Sequence, residues 1–343
     1  GTEVPLMKSL WLAKKSSNSV ALRIIPKAEE KRVDFEIIHN ATSKDVKDGT
    51  VKRGSTTCPC CGYTTPVASV RRQLKARNGG ANDSRLFCVV TTRPGQQGRF
   101  YRLPSEMDID AVRKAGEELE RRKNNYKGDF TFIPEEPLPL MSGAFNVPIY
   151  GYDTWGSIFT SRQLLALTTI AGFIRNIGKC DKSFTPIMED GLLNAVKICL
   201  AIALDRQANT LTSLSRYDIT RENIQGIYSR QAIPIVWDFV EANSFSTSTG
   251  CFDGAVKWII DVCEKESILS SNHVNGQATR SSAISQSLPD DSIYCFFTDP
   301  PYYNAVPYAD LSDFFYVWLK RTIKNIYPDM FKTELTPKED ECC

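Results

Sequence analysis

The hydrophobic positions change period along the chain. The first hundred residues are rich in β-branched and basic residues, in short apolar-rich runs such as "VALRII" (20–25), "VDFEII" (33–38), "RLFCVVTT" (85–92) and "GRFYRL" (98–103). Such runs predict strands, separated by the turn clusters "DGTVKRGST" (48–56) and "ARNGGANDS" (76–84). Residues 105–127, "SEMDIDAVRKAGEELERRKNNYK", have Ser and acids in front and Lys/Arg behind, the order that suits an exposed helix and its dipole. A proline-rich connector over 132–152 cannot be regular throughout. From about residue 160 the period becomes helical, with Leu164, Leu165, Leu167, Ile170 and Ile174 mostly on one face of a helix over 161–177. Further helices are predicted over 186–209, 228–242 and 253–267, the third of the four weakened by Pro234. Trp237 and Trp258 read as core residues on the last two.

The stretch "FFTDPPYYNAVPYADLSDFFYVWL" (296–319) combines two further elements. Ile293, Tyr294, Cys295, Phe296 and Phe297 read as a buried strand. Pro300 and Pro301 must end it, because proline cannot donate to a sheet ladder. Leu311, Phe314, Phe315, Trp318, Leu319 and Ile323 then fall at helical spacing from near Asp310. Strand, tight turn and helix make half of a doubly wound α/β unit, whose ligands sit at the carboxyl ends of strands. The chain divides into a β-rich basic module (1–104), a charged helix with the connector (105–152), a helical region (153–285) and the strand-turn-helix (286–343).

At 343 residues the chain can bury a sizeable core. No run of about 18 apolar residues occurs, which excludes a helical membrane span, and "GLLNAVKICLAIAL" (191–204) reads as a core helix. Most of the eleven cysteines are scattered and no signal peptide opens the chain, so a reducing, cytoplasmic setting is expected. Charge is lopsided: residues 1–127 hold 25 Lys+Arg against 14 Asp+Glu, while 128–343 hold 17 against 26. The front third is therefore either a solvated basic surface or a face for a polyanion. "RRQLKARNGG" (71–80), with Arg93, Arg99 and Arg102, is the candidate phosphate surface within it.

An acid, two prolines and a tyrosine at a strand's end suit one chemistry well. The exocyclic amine of a nucleobase is a poor nucleophile because its lone pair is delocalised into the ring. Asp299 accepting one N–H, and a backbone carbonyl of the stiff Pro300–Pro301 segment accepting the other, favour the pyramidal, reactive nitrogen. Tyr302 would stack on a base rotated out of its helix. The alternative is a proline-terminated strand whose Asp caps the next helix.

"TDPPYYNAVPYADLSDFFYVWLKR" (298–321) resembles motif IV of S-adenosylmethionine-dependent amino-methyltransferases, and in extended form the zinc-ribbon adenine-specific DNA methylases. The resemblance includes "FTSRQLLALTT" (159–169), "YSRQAIPIVWDFVEANSFS" (228–246) and the "CPCCG" knuckle (58–62), and so spans most of the chain. It implies a partial Rossmann-like α/β methyltransferase domain with a β-rich zinc-ribbon insertion and a helical region. It further implies S-adenosyl-L-methionine as methyl donor, structural zinc and DNA as partner. Asp299, Pro300, Pro301 and Tyr302 would hold the target base and amine, with Asn304, Tyr308 and Asp310 as pocket neighbours. Adenine N6 is the leading acceptor, and cytosine N4 and the N2 of guanine in RNA stay open. The Phe-x-Gly-x-Gly cofactor loop of such enzymes is absent; "CFDGA" (251–255) is a different pattern. In the family that loop precedes the ribbon. Its absence keeps open a second reading, a non-catalytic nucleic-acid-binding protein on a relic methylase fold.

Cys58 and Cys61 have the C-x2-C spacing of a zinc knuckle, followed by Gly62. A structural zinc needs four ligands. "GTEVP" (1–5) repeats the Gly-x-x-x-Pro frame of "GYTTP" (62–66), so the second pair is expected before Gly1, in a longer parent chain. Plain thiols or a redox pair are the alternatives. Cys60 reads as a spacer, although a C-x-C arrangement stays open, and Cys88 as a buried core thiol.

Overall fold

The computed structural model describes residues 1–15, 18–178, 190–228, 231–270, 276–279, 281, 285, 288–302 and 305–338. Alternation in the front module gives an antiparallel sheet of β1 (Trp11–Lys15), β2 (Asn18–Lys27) and β3 (Arg32–His39), in that order. Leu22 lies opposite Ile37 and Ile24 opposite Phe35. These four share one face and bury a small core with Met7, Leu10 and Phe87. A second sheet joins β4 (Val51–Lys52), β5 (Ser55–Thr57) and β6 (Thr64–Thr65), and the cysteine knuckle is the connection from β5 to β6. Helix α1 (Val67–Arg77) follows, then the hairpin β7 (Val89–Arg93) and β8 (Gln96–Arg102). Cys88, expected as a buried core thiol, is half-buried against Ala13, Val20 and Tyr101, where burial pushes its thiol up to about 11.

Helix α2 (Glu106–Asn125) starts where Ser105 donates its N–H (2.7 Å) and hydroxyl (2.6 Å) to the Asp108 carboxylate. Helix α3 (Ser161–Asn176) starts on a reciprocal pair. Thr160 Oγ1 accepts the Gln163 N–H (3.3 Å), and Gln163 Oε1 accepts the Thr160 N–H (2.8 Å), as a Thr-x-x-Gln box predicts. Next come α4 (Asp190–Thr210), the hairpin β9 (Arg216–Asp218) and β10 (Asn223–Gln225), α5 (Phe252–Ser270) and α6 (Tyr308–Ile323). The main core lies among α3, α4 and α6. There Phe159 stacks on Phe314 and meets Trp318 edge-on at 5.5 Å, while Trp155 meets Phe314 at 6.0 Å.

The proline-rich stretch is packed into this core through Leu138, Phe145 and Val147. A buried ion pair holds it there. Arg321 of α6 donates to both oxygens of Glu136 (2.9 and 3.0 Å) and to the carbonyls of Thr131 (3.2 Å) and Ile133 (2.8 Å). Every strand pairing among the described strands is antiparallel.

Three local expectations need correction. Residues 231–242 form no helix. Pro234 removes a donor, and Ile233 donates its N–H to the Ala144 carbonyl (2.7 Å) beside a bridge to Phe145, so the segment is a strap tied to the proline-rich stretch. The strand through Ile293, Tyr294, Cys295, Phe296 and Phe297 is absent. The segment is irregular and exposed, because no neighbouring strand pairs with it among the described residues. Trp258 is 58 % exposed, its ring under the Arg206 guanidinium at 3.9 Å. Among the described residues no helix is long and apolar enough to cross a membrane.

Asp205, on α4, is buried, and its Oδ1 meets no hydrogen-bond donor among the described residues. Burial holds its carboxyl well above the usual range. The folded state therefore keeps this proton where the unfolded chain releases it, and stability falls as pH rises from the unfolded value of about 3.9 towards the folded one. Asp205→Asn should flatten that fall and raise stability at pH 7, read as urea midpoints at pH 5 and 8. A variant with unchanged pH dependence would refute the assignment.

Candidate functional site

Asp299, Pro300, Pro301 and Tyr302 lie upstream of α6 in a stretch without regular structure, and all four residues are exposed. Tyr302 accepts the Ala305 N–H through its carbonyl (3.3 Å), and its ring is 69 % exposed. Pro307, at φ −79° and ψ 73°, closes a tight three-residue turn in which Tyr308 donates its N–H to the Val306 carbonyl (2.9 Å). Buried Val306 and Ala309 anchor this junction to the body of the protein. Asp299 thus offers carboxylate oxygens, and Tyr302 a ring face, to solvent. Together they can accept hydrogen bonds from an amine and stack on a planar ring.

Tyr308 is the first residue of α6 and is 41 % exposed. Asn304 lies outside the described residues. Asp310 is already engaged: its carboxylate pairs with Lys338 at 2.7 Å. Lys338 also meets Asp313, which is fully buried and accepts from the Thr336 N–H (2.9 Å) and hydroxyl (2.7 Å). Burial works against the Lys338 ammonium, but the two carboxylates outweigh it and hold its pKa above the usual lysine range. Asp310 therefore fastens the 333–338 segment to α6. Behind the helix start, Tyr228 packs on Phe314 and Phe315 and donates its hydroxyl to the Leu311 carbonyl at 2.8 Å.

At the knuckle, burial opposes ionisation of Cys58, yet the backbone N–H groups of Cys61 and Cys60, the Cys61 thiol and the Thr2 hydroxyl converge on its sulfur. They hold its pKa below that of an ordinary thiol. The Gly62 N–H donates to the Cys58 carbonyl (2.9 Å), and Gly62 sits at φ +74°, in the left-handed region. Cys61 is exposed, while Cys60 turns aside to the Arg32 carbonyl at 3.5 Å. Cys58 and Cys61 therefore fit half of a zinc site, with the other half open. Among the described residues no group of three or more His, Cys, Asp or Glu side chains converges as a metal site.

Much of the candidate phosphate surface is spoken for. Arg71 lies over the Tyr150 ring (5.5 Å), Arg93 over Phe100 (4.0 Å), and Arg102 forks onto Asp108 (2.6 and 2.9 Å). Arg77 pairs with Asp83 and Glu3, and Arg99 donates to the Tyr217 hydroxyl at 3.2 Å. Arg72 and Lys75 stay exposed on α1, directly after the knuckle. Arg162 pairs with Glu241 at 2.7 Å, a packing role, and Arg230 lies outside the described residues.

Comparison with models of protein families, with curated proteins and with solved structures finds no match. The sequence holds no Phe-x-Gly-x-Gly loop for S-adenosylmethionine. The only glycine sequence near the family's loop, Cys251–Ala255, forms the entry to α5 and follows no strand. Sequence reasoning missed Lys338, Asp313 and the Glu136–Arg321 pair. The apolar positions of α6 outline its buried face, and nothing in that pattern marks Asp313 or Arg321 as lying on it.

Proposed function

We propose that this chain carries the base-binding turn of an S-adenosylmethionine-dependent methyltransferase acting on an exocyclic amine in DNA, with adenine N6 as acceptor. The observation that carries this reading is the exposed Asp299–Pro300–Pro301–Tyr302 run upstream of α6, within the longer run 298–321 that resembles motif IV. A Rossmann-like α/β setting, a zinc ribbon and a cytoplasmic location belong to the same proposal.

In this reading Asp299 accepts one N–H of the amine and a carbonyl of the Pro300–Pro301 segment accepts the other, while Tyr302 stacks on the extruded base. Cys58 and Cys61 would supply two thiolates to zinc, which ties the knuckle together as a structural ion. The residues that hold the methyl donor are not identified in this chain, and these groups act only on the acceptor side.

The exposed pair Arg72 and Lys75 beside the knuckle favours the second reading, a nucleic-acid-binding protein without transferase activity. One experiment separates them. The full product of the reading frame is incubated with labelled S-adenosylmethionine and mixed DNA or RNA, and the modified nucleoside is identified by mass spectrometry. N6-methyladenine supports the proposal; N4-methylcytosine or N2-methylguanine changes the base. Binding of DNA with no transfer to any nucleic acid supports the second reading.

A further inference from the structure

Helices α4 and α5 lie side by side and run in opposite directions. Gln207 of α4 donates to the Gly250 carbonyl just before α5 (3.5 Å), and one turn into α5 the Trp258 ring meets Arg206. At four-residue spacing, α4 carries Cys199, buried Ala203 and buried Gln207 along one line. On α5 the matching line is buried Ala255, half-buried Ile259 and Cys263. Antiparallel pairing of these lines sets Cys263 against Cys199 across the helix pair. The small Ala203 and Ala255 side chains let the helices approach closely there. Cys199 is half-buried and Cys263 exposed, so one sulfur is open to solvent and the other waits behind it.

We propose that Cys199 and Cys263 form a reversible dithiol–disulfide pair that locks α5 onto α4 when a small-molecule disulfide such as oxidised glutathione is present. The Cys263 thiolate attacks one sulfur of that disulfide, forming a mixed disulfide and releasing one glutathione thiolate. Cys199, losing its proton to solvent, attacks the Cys263 sulfur, which forms the Sγ–Sγ bond and expels the second glutathione thiolate. Two protein thiols are oxidised and one glutathione disulfide is reduced to two thiols. Burial, then the neighbouring Cys263 thiol, raises the Cys199 pKa, in keeping with Cys263 as the attacking group.

The lock has something to hold. Apart from the 255–259 line, α5 is largely exposed, with Trp258, Ile260 and Val262 each about half open to solvent. A helix held by one narrow line opens more easily than the core, and a cross-link just past its middle removes that opening.

The test oxidises the intact chain with oxidised glutathione, blocks the remaining thiols and digests with trypsin. Peptides 198–206 and 258–265 each contain a single cysteine, and they should appear joined, two hydrogens lighter than their sum. Dithiothreitol should separate them. Amide exchange in α5 should slow about tenfold on oxidation, and Cys199→Ser and Cys263→Ser should each abolish both effects. Recovery of the two peptides unlinked, each carrying glutathione or the blocking group, overturns the proposal; so does linkage with unchanged exchange in α5, since the pair would then lock nothing.

Discussion

Arg321→Ala should destabilise the fold by about 3–5 kcal/mol, the scale for breaking a buried ion pair by removing one partner. Arg321 is 2 % exposed and satisfies both oxygens of Glu136 together with three backbone carbonyls, those of Thr131, Ile133 and Val317. Its loss strands the Glu136 carboxylate and frees the 131–136 segment from α6. Lys320 lies 3.5 Å from Glu136 and limits the damage in part. The urea midpoint, followed by tryptophan fluorescence, reads the change. Glu136→Leu with Arg321→Met should recover to within about 2 kcal/mol of the parent, because an apolar pair of similar volume pays no desolvation cost. A single variant within about 1 kcal/mol of the parent would show that the pair contributes little.

On the proposed function, Asp299→Ala should lower methyl transfer by a hundredfold or more, roughly the effect of removing one preorganised polar group from a reacting centre. The same substitution should leave the melting temperature unchanged, since Asp299 is exposed and outside every core cluster. That contrast separates a chemical role from a structural one. Asp299→Asn keeps one acceptor oxygen and should fall between the two. Tyr302→Ala should cost about 1–3 kcal/mol in base binding and Tyr302→Phe almost nothing, because stacking uses the ring. Transfer by Asp299→Ala at the parent's rate would remove Asp299 from the reaction.

The elements that were legible in the sequence are those whose signal is local. Helix α2 announces itself through its charge order, α3 and α6 through apolar spacing, and β2 and β3 through short β-branched runs between turn clusters. The two-residue strands at the knuckle are polar and too short to show a period. Residues 231–242 have helical apolar spacing, but Pro234 and the Ala144 carbonyl impose another path. The run 293–297 has strand composition, yet a strand exists only with a hydrogen-bonding neighbour, which composition cannot supply. Of the candidate site, the Asp299–Tyr302 turn and the C-x2-C knuckle were readable as motifs. That Asp310 is committed to Lys338 was not, because the partner lies 28 residues away, across a turn and a segment without regular structure.

Between Asp299 and the first turn of α6 the chain contains Pro300, Pro301 and Pro307, three positions where φ is fixed in the folded and unfolded chain alike. The Val306–Tyr308 bond closes the last of these positions onto the helix start, and the prolines narrow the conformations open to the chain before it. Fewer backbone rotations remain to be frozen when it seats against a planar ligand, so more of the contact energy survives as affinity. The reach of such a stretch is correspondingly narrow. Replacing Pro307 by alanine would lengthen the sweep of Asp299 while blunting its aim, so that tolerance for misplaced ligands would grow as grip on the right one weakened.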